Sequence, residues 1–276
     1  MALTLVQASR QPELFSQLEK FVLPYEKFNV TLYEKILSED ESVYALVGNT
    51  TKAVFSYSKG KNFVCCAPRW TQEIQTAIVD FLKDRKVLCV HGEESTVLNL
   101  QKILDSRAEQ IDERNMFLME YMDRIYIKPQ VRVFLCGSGD EEALMPLQIR
   151  FITEEILPAW KEINLPLERM NLAKALKNNL VYGAGTETEI FAKANINLYS
   201  SKIIQISGVF TAESHRCKGY ASSLVNTVAL LAQKVGRKAT LLVRQENLNA
   251  MAAYRKAGFS ISGTYKAVYY RDESSV

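Results

Sequence analysis

The sequence predicts an α/β protein, of the α+β kind, built in two parts, and three observations carry this. Short runs rich in β-branched and aromatic residues alternate with amphipathic stretches at helical spacing along the whole chain. A hydrophilic stretch at 105–114 joins the halves and could itself be helical, which divides the chain into domains 1–125 and 126–276. Past that division the elements read β-α-α-β-β-β-α-β-α-β.

In the smaller N-terminal part, residues 12–23 are helical and 42–47 and 52–58 are strands around the turn Gly48-Asn49-Thr50. Residues 62–66 form a further short strand. Thr71 caps a helix that carries Ile74, Ala77, Ile78 and Leu82 on one face, with Glu73 in its first turn. Residues 86–90 are a short buried strand and 93–104 another helix. In the second part, 128–136 is strand-like and ends at Gly137-Ser138-Gly139. Asp140 then caps a helix reaching about residue 155, whose regular part is expected to begin only at Pro146. Residues 167–177 make a second helix. A meander of 180–184, 189–197 and 203–211 follows, then a helix closed by Gly236, a strand at 239–243, a helix at 248–256 and a final strand or strand pair at 259–271. Both halves loosely share this arrangement.

Composition narrows the class. At 47% hydrophobic and 24% charged residues the chain reads as a soluble globular protein, and its formal charge of +3 is too small to argue for nucleic acid or an acidic membrane. There is no basic leader with an apolar core and no membrane-spanning stretch, so the cytoplasm is the expected compartment. The five cysteines have no framework or Cys-x-x-Cys spacing and there are two histidines, so neither disulfides nor a metal site is expected.

One loop carries chemistry. In GVFTAESHRCKGYAS, residues 208–222, a strand ends at Thr211 and a helix begins near Gly219. Unpaired amides at a helix N-terminus, Gly219 and the small Ala221 let a ligand approach the backbone, and Arg216 and Lys218 add positive charge. The assembly suits a phosphate or diphosphate, although alone it also reads as a solvated basic turn. The later stretch ENLNAMAAYRKAGF, residues 246–259, places Asn247, Ala250, Tyr254, Gly258 and Phe259 after a strand.

Together the two stretches resemble the GNAT N-acetyltransferase superfamily over roughly residues 126–276, with at most a degenerate echo in 1–125. The resemblance implies a mixed central sheet flanked by helices that binds acetyl-CoA, or another acyl-CoA, as cosubstrate. It assigns the cosubstrate to Val209, Phe210, Thr211, Arg216, Cys217, Lys218, Gly219, Tyr220, Ala221, Ser222, Asn247 and Ala250. Backbone amides from Cys217 to Ala221 would hold the diphosphate, and Val209 and Thr211 would pair with the pantetheine arm. Tyr254 matches the general acid that protonates the departing thiolate. For the base that frees the amine, Glu213 is the first candidate, with Glu189 and His215 behind it. Tyr269-Tyr270 reads as strand alternation, and Glu154-Glu155 as solvent-facing at a helix end.

The expected function is therefore direct transfer of an acyl group to a primary amine on a small molecule or peptide. The alternative is a CoA-binding or sensing module without turnover. A homodimer is left open.

Overall fold

The computed structural model describes residues 3–122, 125–157 and 162–271. Contacts group the chain into two compact units, Met1–Phe117 with Gly263–Val276, and Leu118–Ser262. A cut at 125/126 places the whole final strand in the second domain, whereas its last part, from Gly263, groups with the first unit.

The first unit contains β1 (Thr4–Gln7), α1 (Leu14–Val22), α2 (Val30–Leu37), β2 (Val43–Val47), β3 (Thr51–Tyr57), β4 (Asn62–Cys66), α3 (Gln72–Leu82), β5 (Cys89–Glu93), α4 (Glu94–Leu104) and most of β6 (Gln110–Tyr121). Its sheet has two cores because neighbouring side chains of a strand leave on opposite faces. Ala53, Phe55, Phe63 and Cys65 pack with Ile78, Phe81 and Leu100 of α3 and α4. Val54, Val64 and Cys66, one position along, pack instead with Leu18, Leu32 and Tyr33 of α1 and α2. Burial pushes the thiols of Cys66 and Cys89 up to about 12, so they behave as small apolar groups.

Three elements of this unit depart from expectation. Helix α2 was absent from the sequence reading. β5 lies a few residues later than 86–90 because its polar members are satisfied across the sheet: His91 Nδ1 lies 2.6 Å from the hydroxyl of Tyr265. The stretch at 105–114 is no helical connector, since β6 begins at Gln110. Its charges are absorbed locally: Arg114 pairs with Asp112 at 2.9 Å and lies over the Tyr269 ring at 4.9 Å, and Lys266 pairs with Glu113.

The second unit contains β7 (Arg132–Leu135), α5 (Glu141–Phe151), a π turn (Ile152–Ile156), α6 (Leu165–Lys177), β8 (Val181–Gly185), β9 (Ile190–Tyr199), β10 (Ile203–Thr211), α7 (Tyr220–Lys234), β11 (Lys238–Arg244), α8 (Leu248–Lys256) and the start of β12 (Phe259–Tyr270). Helix α5 runs through Pro146 rather than starting there, and Asp140 turns its carboxylate back to the Gly137 amide at 2.7 Å instead of capping the helix.

Both units follow the same order, β-α-α-β-β-β-α-β-α-β. Their sheets do too: β1-β2-β3-β4-β5 and β7-β8-β9-β10-β11 are antiparallel until a parallel last pair. The loose likeness of the halves in sequence is thus a repeat in structure.

One buried side chain ties the second unit together. Asn226 of α7, fully buried, donates to the carbonyls of Ile125 at 2.7 Å and Ala257 at 3.0 Å and accepts from the Ile127 amide at 3.1 Å. Asn226→Leu leaves those groups unpaired in an apolar setting, which is expected to destabilise the protein by about 3 kcal/mol. Urea unfolding monitored by circular dichroism checks this; an unchanged midpoint refutes it.

Candidate active site

The site begins where two parallel strands part. The ladder between β10 and β11 runs from Ile203 opposite Lys238 to Ile206 opposite Leu241, while β10 continues to Thr211. Just past the last pair, β10 carries a bulge, with a register shift between Ser207 and Phe210 and Gly208 at φ +58°. The positive φ favours glycine at 208, and a Cβ there would press on Lys193 Nζ at 3.0 Å and Asn195 Cγ at 3.1 Å. From the bulge onward, the edge of β10 that faces β11 is outside the ladder.

Lys193 of β9 holds the bulge from beneath. It is fully buried, donates to the Gly208 carbonyl at 3.0 Å and the Asn195 side-chain oxygen at 3.3 Å, and lies over the Phe151 ring at 4.9 Å. Burial lowers its amine to about 7, against the opposing pull of Glu168 and Cys136.

A cavity of about 570 Å³ lies along the open edge. Its floor is Val209, Phe210 and Thr211. One end is the start of α7, with Cys217, Gly219, Tyr220, Ala221 and Ser222. The far wall is α8, with Ala250, Ala253 and Tyr254 below its cap Asn247. Gly219 is the N-cap of α7 at φ +79° and no side chain caps the helix, so its first-turn amides face the cavity without a side-chain acceptor. Cys217 also has a left-handed backbone, φ +62°, which is costly for a residue with a Cβ.

The expected cosubstrate residues therefore meet in one place, with Lys218 the exception: it is exposed and does not line the cavity. Its place is taken by Lys256 of α8, whose Nζ lies 3.9 Å from where a Cβ on Gly219 would stand. Arg216 is present but committed. It donates to Glu154 at 2.9 Å and to the Thr211 carbonyl at 3.2 Å, and its guanidinium lies 5.3 Å from the Phe210 ring centroid. His215 lines the cavity as a stacked aromatic, 3.9 Å from the Phe191 ring at an interplanar angle of 9°.

Tyr254 is buried in the wall of the cavity. Desolvation and then the charge of Glu155 push its phenol well above the usual tyrosine value, so the hydroxyl keeps its proton throughout the working pH range. Asn247 spends its carbonyl on the Ala250 amide at 3.0 Å and turns its NH2 toward Glu155 at 3.4 Å.

The acids fall differently from the sequence reading. Glu213 is outside the cavity lining, 72% exposed, and pairs with Arg150 at 3.2 Å. Glu189 is exposed and likewise absent from the lining. Glu154 and Glu155, expected to face solvent, both line the cavity, Glu154 still exposed and Glu155 half-buried. The cause is the π turn that ends α5, closed by the Leu157 amide on the Ile152 carbonyl at 2.8 Å. A π turn carries extra residues per turn and re-aims the side chains it holds. Nothing in the residues 152–156 themselves marks such a turn. Burial alone would raise Glu154, but hydrogen bonds from Arg216 and Arg150 outweigh it and lower its carboxyl. Among the described residues no group of His, Cys, Asp and Glu is placed to hold a metal ion.

The decisive likeness is in sequence as well as shape: residues 148–259, which hold this whole cavity, match the Acetyltransferase (GNAT) family. Solved structures extend the GNAT fold over both units. An acetyltransferase of the GNAT family from Colwellia psychrerythraea is 11% identical, with a TM-score of 0.62 over 98% of this chain and 100% of that one. A Drosophila protein is 13% identical, with a TM-score of 0.64 over 98% of each chain. A tandem GNAT protein from the clavulanic acid biosynthesis pathway is 11% identical, with a TM-score of 0.58 over 96% of this chain and 97% of that one. Among curated proteins, none matches the chain in sequence.

The first unit has the same elements without the same site. Where the second has Gly219, the first has Thr71, whose hydroxyl accepts from the Ile74 amide at 3.4 Å and so fills the start of α3. At the same distance past the helix cap as Tyr254, α4 has Leu100, fully buried and without a hydroxyl.

Proposed function

We propose that the second unit is an acyl-CoA-dependent N-acetyltransferase that passes an acetyl group directly to a primary amine, and that the first unit binds no CoA. The observation that carries this is the meeting, in one cavity, of an open strand edge, an uncapped helix N-terminus and a desolvated tyrosine. The chain's own groups fit acetyl-CoA in order along the cavity. Amides of α7 with Lys256 suit the diphosphate, the free edge of β10 suits the amide-bearing pantetheine arm, and Tyr254 stands beside the leaving sulfur. Arg216 already shares its guanidinium with Glu154 and the Thr211 carbonyl, so the amides are expected to carry most of the binding.

Acetyl-CoA at about 100 times its dissociation constant is expected to stabilise the protein by about 2.7 kcal/mol, a rise in Tm of about 5 °C. Gly219→Val, which puts a branched side chain at φ +79° over the first-turn amides, is expected to abolish that rise. Differential scanning fluorimetry reads both. No shift with the unaltered protein sinks the CoA site, and an undiminished shift in the variant sinks its placement at α7.

A further inference from the structure

We propose that Glu155 receives the acceptor, and that the acceptor is a primary alkylammonium whose proton Glu155 removes. This rests on the acetyl-CoA reading above. Two carboxylates line the cavity and their surroundings differ. Glu154 is neutralised by Arg150 at 2.7 Å and Arg216 at 2.9 Å. Glu155 has no ion pair among the described residues; its carboxylate meets only the Asn247 NH2 at 3.4 Å. Its backbone is nevertheless fixed, because Arg244 donates to its main-chain carbonyl at 2.7 Å and the π turn encloses it. A half-buried, uncompensated carboxylate in a cavity attracts a cation. It also shares that cavity with Tyr254, so acid and base flank one reaction volume. Glu213, the alternative base, lies outside the lining and is already paired.

The step balances without another reactant. Glu155 takes one proton from R–NH3+ and passes it to water. The nitrogen lone pair then forms a bond to the thioester carbon, and the carbonyl pair moves onto oxygen. When C=O re-forms, the C–S bond breaks and sulfur leaves with its electron pair, stabilised by the Tyr254 hydroxyl. The second nitrogen proton ends on the thiol, giving amide, CoA thiol and one released proton.

The test compares Glu155→Gln and Glu155→Asp with the unaltered protein, reading thiol release from acetyl-CoA. The probe acceptors are benzylamine and 1,4-diaminobutane, both cations at neutral pH, and hydroxylamine, which is already neutral there. With the alkylamines, Glu155→Gln is expected to lose about 100-fold or more in kcat/KM, and with hydroxylamine less than about threefold. Glu155→Asp should recover part of the loss. The thermal shift with acetyl-CoA should persist in both variants, which shows that they fold and bind. Equal losses with all probes, or none, overturn the proposal. So does an unaltered protein that binds acetyl-CoA yet accepts neither alkylamine. Absence of the thermal shift in the unaltered protein instead removes the acetyl-CoA reading itself.

Discussion

Tyr254→Phe is expected to lower turnover by about 100- to 10,000-fold, the usual worth of a positioned proton donor, while acetyl-CoA still binds. The reason lies in where the hydroxyl sits. Burial and the neighbouring Glu155 charge raise its pKa, so it stays protonated across the neutral range. Full transfer to a thiolate is uphill by more than about 2 kcal/mol even from an ordinary phenol, given pKa values of about 8.5 and 10. On the proposed reading Tyr254 would act first as a hydrogen-bond donor to the leaving sulfur, and phenylalanine would remove only that. Single-turnover thiol release with an accepted amine measures the effect. A variant that turns over normally while showing the same thermal shift with acetyl-CoA excludes Tyr254 from the chemistry.

The second large effect is on stability. Lys193 titrates at about 7 in the folded protein, whereas in the unfolded chain a lysine titrates at about 10.4. Between these values the unfolded chain holds one proton more, so folding stability rises with pH, by up to about 1.4 kcal/mol per unit. From pH 7 to 8.5 the unaltered protein is expected to gain about 1.5 kcal/mol relative to Lys193→Met, which has no such proton. The comparison matters because buried thiols such as Cys66 and Cys136, pushed up to about 12, give an opposing slope at higher pH in both proteins. Urea unfolding at the two pH values reads the difference. Parallel pH dependence in both proteins means that Lys193 is charged in the fold.

Much of this architecture could be read along the chain, and the misses have identifiable causes. Helices α7 and α8 and strands β4 and β10 announced themselves through apolar spacing, Gly219 and Gly236, all signals within one or two turns of the residue concerned. Helix α2 escaped because the short stretch Val30–Leu37 has no side-chain cap. The start of β6 escaped because Arg114 and Glu113, which look like connector residues, are paired to Asp112 and Lys266 and held against neighbouring strands.

The site divides along the same line. That the loop from Arg216 to Ser222 and the Asn247–Tyr254 pair would lie near one another was legible, since a backbone loop and a fixed helical spacing position them. The charges were not. Glu154, Glu155 and Lys256 reach the cavity, and Glu213 and Lys218 stay outside it, for reasons that no local pattern encodes. A π turn set by packing turned α5's end inward, and the parting of β10 from β11 at a bulge held by a buried lysine opened the edge. Spacing and caps act over a few residues, so they specify elements and backbone cradles. Which ionised groups face one another depends on long-range packing and desolvation, and only the folded chain decides that.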